Sequence, residues 1–300
     1  MMGKRILVGA ALIAFMCALL WLDWKLEELN VPQLPAGPAG RTRLLRGLPL
    51  AALVAVLLAA GYLELARLAA AAGTDVFRLT GLAATVLVGT LPFWRQAAAV
   101  GPHGEMLTKL LLGGTLMVFF ADQVIHHGTK DVIRRIGASL LGVCYLGVCG
   151  AIVLGIRLEF GLRAFVFFLV AVKATDIGAY FSGSFFGRHK LLPRLSPGKS
   201  WEGLLGGLVA AAACGVGTAA VLNPIFANDG KMVELWLAGA LAVALGLFGQ
   251  MADMCESALK RDAGRKDSGG KLPAFGGVLD VVDSPLLAAP AAYLLLALAR

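Results

Sequence analysis

Charged side chains are scarce in this chain of 300 residues: Asp, Glu, Lys and Arg make up 15% of it, whereas 58% of it is hydrophobic. About a quarter of a soluble domain is charged, so the composition excludes an ordinary soluble protein. A helix that crosses a bilayer needs roughly 20 apolar residues, and a chain of this length has room for about nine such helices. We therefore predict an all-α polytopic membrane protein in which a single membrane domain fills residues 1–300.

Cysteine and histidine are rare as well, with five and four residues. The cysteines are odd in number, lack the spacing of a metal site and lie mostly in apolar runs, where cysteine acts as a small hydrophobic residue. The net charge of +8 comes from lysines and arginines scattered over short loops, not from one basic stripe with interleaved aromatics. We expect no disulfide, no zinc site and no nucleic-acid partner.

Apolar runs predict about nine transmembrane helices. They extend over Ile6–Leu22, Gly47–Leu63, Leu79–Trp94, Leu110–Ile125, Ile136–Ile156, Phe160–Tyr180, Gly203–Leu222, Leu235–Ala252 and Val281–Ala299. Because cytoplasmic loops carry the excess of positive charge, lysine and arginine favour a cytoplasmic N-terminus: of the 27, 16 would lie inside and 10 outside, with one in a helix. In either orientation the loop Phe181–Glu202 and the stretch around Lys260 share one compartment, since two helices separate them.

One polar stretch, Asp253–Ser284, interrupts the apolar pattern near the C-terminus. Ionisable groups at bilayer depth are costly and usually mark a site. Asp280 and Asp283 are three residues apart and would share a helix face, and Asp253 lies at the end of the preceding helix. Carboxylates in this arrangement suit Mg²⁺ bound together with substrate phosphates. Alternatively, the aspartates only satisfy free N–H groups at the start of the last helix.

Basic residues and glycines fill the same stretch. The cations would counter the charge of a polyphosphate, and the glycines would let backbone N–H groups approach it. The cations are Lys260, Arg261, Lys266 and Lys271, and the glycines are Gly269, Gly270, Gly276 and Gly277. The alternative is a solvated cytoplasmic loop, which would explain the lysines but not the interleaved aspartates and paired glycines.

A second polar stretch begins inside a predicted helix. Lys173, Asp176 and Tyr180 share one face of that helix, since they are three and four residues apart. The functional interpretation is a substrate contact, and the alternative is a buried ion pair between Lys173 and Asp176. The loop that follows contains the segment Ser196–Gly203, with Lys199 near its centre.

The two polar stretches together resemble the signature of the phosphatidate cytidylyltransferases. The resemblance covers about Lys173–Leu295. The matching residues are Ser257, Leu259, Lys260, Arg261, Lys266, Asp267, Gly269, Leu272, Pro273, Gly276, Gly277, Val278, Asp280 and Asp283, and upstream Asp176, Ala179, Tyr180, Phe181, Gly183, Ser196, Pro197, Lys199, Ser200, Trp201, Glu202 and Gly203. The chain departs from the pattern at Phe275, where the family has histidine, and at Val281, where it has arginine.

The resemblance implies an enzyme of phospholipid biosynthesis that transfers the cytidylyl group of CTP to phosphatidate, giving CDP-diacylglycerol and pyrophosphate. It implies that residues 173–300 form the catalytic half and that residues 1–172 form a helical scaffold. The site would lie at the cytoplasmic ends of the C-terminal helices, in the inner membrane if the source is bacterial. CTP would then arrive from the cytosol and phosphatidate from the bilayer.

Individual roles also follow from the resemblance. Asp253, Asp280 and Asp283 would bind Mg²⁺, with a second cation left open. Lys260, Arg261 and Lys266 would bind the leaving pyrophosphate, with Asp267 orienting them. The substrates would contact Asp176, Tyr180, Ser196, Lys199 and Ser200.

Two other functions remain as alternatives at this point. One is a CTP-dependent kinase of a membrane alcohol, which would transfer the γ-phosphoryl group. The other is a divergent paralogue, either non-catalytic or acting on an altered substrate, for which Phe275 and Val281 are the relevant departures. A homodimer is left open.

Overall fold

The computed structural model describes residues 2–28, 46–97, 104–193, 195–225, 234–269 and 276–299. Helices dominate these residues. They are α1 (Met2–Glu28), α2 (Leu48–Ala71), α3 (Arg78–Ala97), α4 (Gly104–Asp122), α5 (Val132–Gly142), α6 (Cys149–Phe186), α7 (Trp201–Ile225), α8 (Leu235–Asp262) and α9 (Leu279–Leu298), with π-helical segments Gln123–His127 and Val143–Val148 after α4 and α5. Two short strands, β1 (Lys190–Leu192) and β2 (Ser196–Ser200), lie between α6 and α7.

Seven helical segments of the described residues are long and apolar enough to cross a bilayer, so this is a multi-pass membrane protein. They are Gly9–Glu27, Leu48–Ala71, Gly104–His127, Val132–Phe186, Trp201–Ile225, Leu235–Asp262 and Leu279–Leu298. The expected all-α polytopic class is confirmed, and the count of nine spans stays a prediction. Helix α3 is outside the set of seven and has arginine near both ends, at Arg78 and Arg95.

The segment Val132–Phe186 contains 55 residues. At 1.5 Å per residue a straight helix of this length would extend about 80 Å, far beyond the roughly 30 Å of a hydrocarbon core. The backbone leaves helical geometry at Gly161, with φ 84° and ψ 177°. This combination of angles is essentially restricted to glycine. The break lies where the sequence predicted one helix to end at Ile156 and the next to begin at Phe160.

The chain divides into two compact units. The first consists of Met1–Leu158 with Ala263–Val281, and the second of Glu159–Asp262 with Val282–Arg300. The loop that carries much of the signature, residues 263–279 (the signature loop), therefore belongs to the same unit as the N-terminal helices. These units do not coincide with the predicted halves 1–172 and 173–300, and the assignment of a single membrane domain stays a prediction.

In the first unit, helix α2 packs closely on α3. Tyr62 of α2 is 1% exposed and donates a 2.8 Å hydrogen bond to the carbonyl of Phe77. The close approach depends on Gly81, because a Cβ atom there would lie 1.8 Å from the Tyr62 hydroxyl oxygen. A buried aromatic ring with its hydroxyl satisfied thus fixes one end of the helix pair.

An ion pair connects α1 with α6 inside the same unit. The Arg157 guanidinium donates from Nε to Asp23 Oδ2 at 2.7 Å and from Nη2 to Glu27 Oε2 at 2.8 Å. The Asp23 and Arg157 side chains are both fully buried. Neither charge could remain in an apolar environment without the other, so the position of α1 depends on this contact.

In the second unit, α7 packs through small residues on both α6 and α8. A Cβ atom added at Gly207 would lie 2.7 Å from the carbonyl of Thr175 in α6, and one at Gly215 would lie 2.4 Å from Ala242 in α8. Small residues let helix backbones approach closely in membranes, where packing drives helix association.

A two-stranded antiparallel hairpin, which the sequence analysis did not predict, precedes α7. Strands β1 and β2 pair with Lys190 opposite Ser200 and Leu192 opposite Ser196. The N–H of Trp201 donates to the carbonyl of His189 at 3.0 Å, which continues the pairing up to the start of the helix. The hairpin carries the predicted substrate residues Ser196, Lys199 and Ser200 on β2.

Candidate active site

Three carboxylates of the second unit converge: those of Asp253, Glu256 and Asp283. One oxygen atom of each lies within 4.8 Å of the others. Asp253 and Glu256 are three residues apart on α8, so they share a helix face, and Asp283 comes from α9. Glu256 and Asp283 are buried, at 1% and 4% exposure. Such a concentration of negative charge requires nearby cations.

Two lysines supply positive charge to this group. The Lys199 ammonium lies 2.8 Å from Asp253 Oδ2 and donates a 3.3 Å hydrogen bond to the carbonyl of Gln250. Lys260 forms an ion pair with Glu256, one helical turn earlier on α8. The sequence predicted Lys199 and Lys260 as phosphate ligands, and the structure places both ammonium groups against the carboxylates.

The chemistry of the donor set fits a divalent cation. Mg²⁺ prefers hard oxygen ligands and is usually bound by a few carboxylates together with waters and phosphates. Asp253, Glu256 and Asp283 offer three anionic oxygens close to one another.

The predicted contact between Lys173 and Asp176 is present on α6. Lys173 Nζ lies 3.3 Å from Asp176 Oδ2. Asp176 Oδ1 accepts a 3.1 Å hydrogen bond from the Gln250 amide, which connects α6 to α8 one turn before Asp253. The simpler interpretation of Asp176, an ion pair, therefore describes one of its two contacts. Tyr180 on the same helix is 63% exposed.

Ser200 has a structural role at the start of α7. Its hydroxyl oxygen accepts the N–H of Gly203 at 3.1 Å, which is the hydrogen bond of a helix N-cap. The side chain is 4% exposed. Ser196 lies at the beginning of β2. The predicted substrate-binding roles of Ser196 and Ser200 stay predictions.

Arg261 connects the end of α8 to the hairpin. Its Nε donates a 3.3 Å hydrogen bond to the carbonyl of Leu195, between the two strands. Arg261, Lys260 and Lys199 therefore place three cations of the second unit around the same helix end and hairpin. This arrangement is suited to binding several phosphate groups.

Asp280 is not a member of the three-carboxylate group found among the described residues. Its Oδ2 atom accepts hydrogen bonds from the Ser268 N–H at 3.1 Å, the Ser268 hydroxyl at 2.8 Å and the Gly277 N–H at 2.7 Å. These contacts match the alternative that this aspartate satisfies N–H groups near a helix start. Its role as a metal ligand stays a prediction.

Of the remaining signature residues in the polar C-terminal stretch, Ser257 and Leu259 lie on α8 in the second unit, and the others lie in the first unit or outside the described residues. Lys266 and Asp267 are exposed, and their predicted roles at the pyrophosphate stay predictions. The predicted positions that fall outside the described residues are Gly270, Lys271, Leu272, Pro273 and Phe275. Val281, where the family pattern has arginine, is partly buried in α9.

Sequence reasoning missed Glu256. A signal was available, because Glu256 follows Asp253 by three residues and precedes Lys260 by four, so that all three share one helix face. In the polar C-terminal stretch, the family signature that the chain resembles begins at Ser257 and so gives Glu256 no place.

The profile of the Cytidylyltransferase family matches residues 42–299, which is most of the chain. The chain belongs to the cytidylyltransferase family. The resemblance found in the motifs is thereby confirmed, and the match extends through α2 to α5, beyond the Lys173–Leu295 region in which the motifs lie.

Several curated members of the family are similar to this chain and are named phosphatidate cytidylyltransferase. The protein of Brucella suis is 44% identical over 135 residues, which are 45% of this chain and 47% of that protein. The protein of Bacillus subtilis is 39% identical over 167 residues, or 55% of this chain and 59% of its own length. That of Staphylococcus epidermidis is 38% identical over 195 residues, 64% of this chain and 72% of its own length. The chain thus spans about half the length of the first two relatives.

Proposed function

We propose that this protein transfers the cytidylyl group of CTP to phosphatidate, releasing pyrophosphate and forming CDP-diacylglycerol for phospholipid biosynthesis. The observation that carries the proposal is the group of three carboxylates on α8 and α9 with two lysines in contact with it. Membership of the cytidylyltransferase family and the names of its relatives support the same conclusion.

In this reaction an oxygen of the phosphatidate phosphate attacks the α-phosphorus of CTP, and the bond from that phosphorus to the pyrophosphate oxygen breaks. The nucleophile is already anionic, so the protein needs no strong general base. Catalysis then consists mainly of positioning the two anions and stabilising charge. The chemistry that Mg²⁺ would supply when bound is that of a Lewis acid, which offsets the negative charge of the reacting phosphates.

Asp253, Glu256 and Asp283 would hold that metal ion. Lys199 and Lys260, released from the carboxylates, would bind phosphate oxygens and stabilise the leaving pyrophosphate. The guanidinium of Arg261 offers a planar, permanently charged group for a further phosphate.

The other predicted roles complete this proposal. Asp280 would be a further Mg²⁺ ligand, with a second cation left open, and Lys266 with Asp267 would act on the pyrophosphate. Asp176 and Tyr180 on α6, with Ser196 and Ser200 on the hairpin, would contact the substrates.

We further propose that the site faces the cytoplasm, in the inner membrane if the source is bacterial, and that the chain spans the bilayer nine times. The distribution of lysine and arginine favours this orientation. Phosphatidate can then enter from the bilayer, and CTP can enter from the cytosol. A homodimer remains an open part of the proposal.

The test follows the two ends of CTP separately. Purified protein in detergent receives phosphatidate, Mg²⁺ and CTP labelled at either the α- or the γ-phosphate. Label from the α-phosphate should enter lipid, and label from the γ-phosphate should leave as pyrophosphate. Transfer of γ-label to an added polyprenol would instead establish a CTP-dependent kinase, and no transfer of either label would indicate a non-catalytic paralogue.

Variants then connect the activity with the site. Lys199→Met should lower the turnover at least 10-fold, because it removes a cation in contact with Asp253. Lys190→Met, an exposed lysine of β1, is the matched control and should retain activity. Equal losses in both variants would argue against the assigned site.

A further inference from the structure

Glu64 is a buried carboxylate in the part of the chain that the sequence marks only as scaffold. It lies on the apolar helix α2 and is 2% exposed. An ionisable side chain in such a helix is costly and calls for partners. Its partners are not other N-terminal helices but the signature loop, more than 200 residues later in the chain.

Glu64 Oε2 contacts the signature loop at two points, Ser268 and Leu279. The atom lies 3.2 Å from the Ser268 hydroxyl oxygen and accepts a 3.0 Å hydrogen bond from the N–H of Leu279, the first residue of α9. The N–H of Leu279 is one of the donors that a helix start leaves without an intrahelical partner. One carboxylate from α2 therefore ties together two points of the loop that are 11 positions apart in sequence.

Two signature glycines make room for the Glu64 carboxylate. A Cβ atom at Gly269 would lie 2.7 Å from Glu64 Oε1, and one at Gly277 would lie 2.4 Å from Glu64 Oε2. From the sequence, these glycines are predicted to let backbone N–H groups approach a phosphate. In the structure the anion that they admit is a side chain of the protein itself.

Asp280 strengthens the same arrangement from within the loop. Its Oδ2 accepts the N–H groups of Ser268 and Gly277, so Ser268 lies between the carboxylates of Glu64 and Asp280. The two carboxylates together contact the N–H and hydroxyl of Ser268 and the N–H groups of Gly277 and Leu279.

We propose that Glu64 is a positioning residue: its carboxylate fixes Ser268, Gly269 and the start of α9 at Leu279 in the positions required for cytidylyl transfer, and Gly269 is glycine in order to admit it. The catalytic readout of this proposal rests on the proposed function. Glu64 would act through the loop, without touching either substrate.

The test is a double-mutant cycle between Glu64 and Gly269 in the full-length protein. Glu64→Ala should lower kcat about 100-fold, the size of effect expected when reacting groups are displaced by about 1 Å, and should change the KM for phosphatidate less than 3-fold. Gly269→Ala alone should lower kcat at least 10-fold, because its methyl group meets the carboxylate. In the Glu64→Ala background the added methyl group should lower kcat less than 3-fold further, since the carboxylate is gone.

If Gly269→Ala lowers kcat by the same factor in both backgrounds, the glycine faces something other than Glu64 and the proposal is wrong. Near-normal kcat in Glu64→Ala would also overturn it. Tyr62→Phe, which removes a buried hydrogen bond two residues earlier on α2, is the control for general loosening of the helix and should retain kcat within 3-fold.

Two further measurements keep the proposal testable if activity or folding fails. Glu64→Asp keeps the charge but withdraws it from Gly269. Its kcat should therefore be lower than that of the wild type, and adding Gly269→Ala to it should lower kcat little further. If the wild-type protein transfers no cytidylyl group, the proposed function fails, and the cycle is then followed by thermal unfolding. Gly269→Ala should lower Tm in the wild type but not in Glu64→Ala, and equal shifts in both would refute the contact.

Discussion

Asp283→Asn should make the protein more stable without divalent cations and should abolish its response to them. Asp283 is 4% exposed and is one of three carboxylates with ligand oxygens within 4.8 Å of one another. Its Oδ1 accepts the N–H of Ser284 at 2.6 Å, and the asparagine oxygen can preserve that hydrogen bond. The substitution therefore removes charge and leaves shape and local hydrogen bonding nearly unchanged.

The magnitude follows from the distances. At 4.8 Å and an effective dielectric constant of about 20, two carboxylates repel each other by about 3.5 kcal/mol. Asp283 has two such neighbours, which gives a gross repulsion of about 7 kcal/mol. Much of it is cancelled by Lys173, whose charge acts on Asp283, and by Lys199, 2.8 Å from Asp253, and Lys260, paired with Glu256. A net gain of about 1 kcal/mol would raise Tm by roughly 2–4 °C.

The loss of metal binding should be larger than this gain. Removing a residue that only supports a metal ligand typically weakens metal binding 10- to 100-fold, so loss of a carboxylate ligand should weaken it at least about 100-fold, or about 2.7 kcal/mol. Tm is measured in detergent with EDTA and with increasing Mg²⁺. Bound Mn²⁺, which uses the same oxygen ligands, is measured by electron paramagnetic resonance.

Asp262→Asn is the matched control, because Asp262 is exposed at the end of the same helix α8. It changes the charge equally and should leave both Tm and Mn²⁺ binding unchanged. A lower Tm for Asp283→Asn in EDTA, or an unchanged wild-type Tm with increasing Mg²⁺, would refute the carboxylate group as a metal site.

Two predictions concern stability. Arg157→Met should lower the free energy of unfolding by about 3–5 kcal/mol, because it leaves the buried Asp23 without its cation. The double variant Asp23→Leu/Arg157→Met should lose less stability than Arg157→Met in a thermal unfolding assay. An equal or larger loss of stability would contradict this account. Gly161→Ala should lower it by about 1–3 kcal/mol, since the backbone angles there are essentially restricted to glycine. Gly137→Ala in α5, where a Cβ atom would meet nothing within 4 Å, should cause no loss in the same assay, and equal effects would exclude backbone strain at Gly161.

The predicted metal site shows how far spacing alone can lead. Asp280 and Asp283 are three residues apart, and so are Asp253 and Glu256. Spacing places each pair on one helix face but does not determine which carboxylates of different helices meet. In the structure Asp253, Glu256 and Asp283 converge, whereas Asp280 bonds to Ser268 and Gly277.

The hairpin before α7 was missed for a related reason. Its strands are three and five residues long, and β2 contains proline and glycine, which are poor strand formers. Local preference therefore argues against a strand there. Pairing between β1 and β2, continued by the hydrogen bond from Trp201 to His189, overrides that preference.

The sequence by itself determined the class of protein and the residues to consider. Long apolar runs are incompatible with a soluble domain, and clustered charges are too costly in a bilayer to be there without a function. Both conclusions depend only on the free energy of transferring side chains between water and lipid. The tertiary structure decided which charges meet: Glu256 with Asp283, Lys199 with Asp253, and Glu64 with Ser268. These pairings come from helix packing between residues far apart in the chain, which no local pattern encodes.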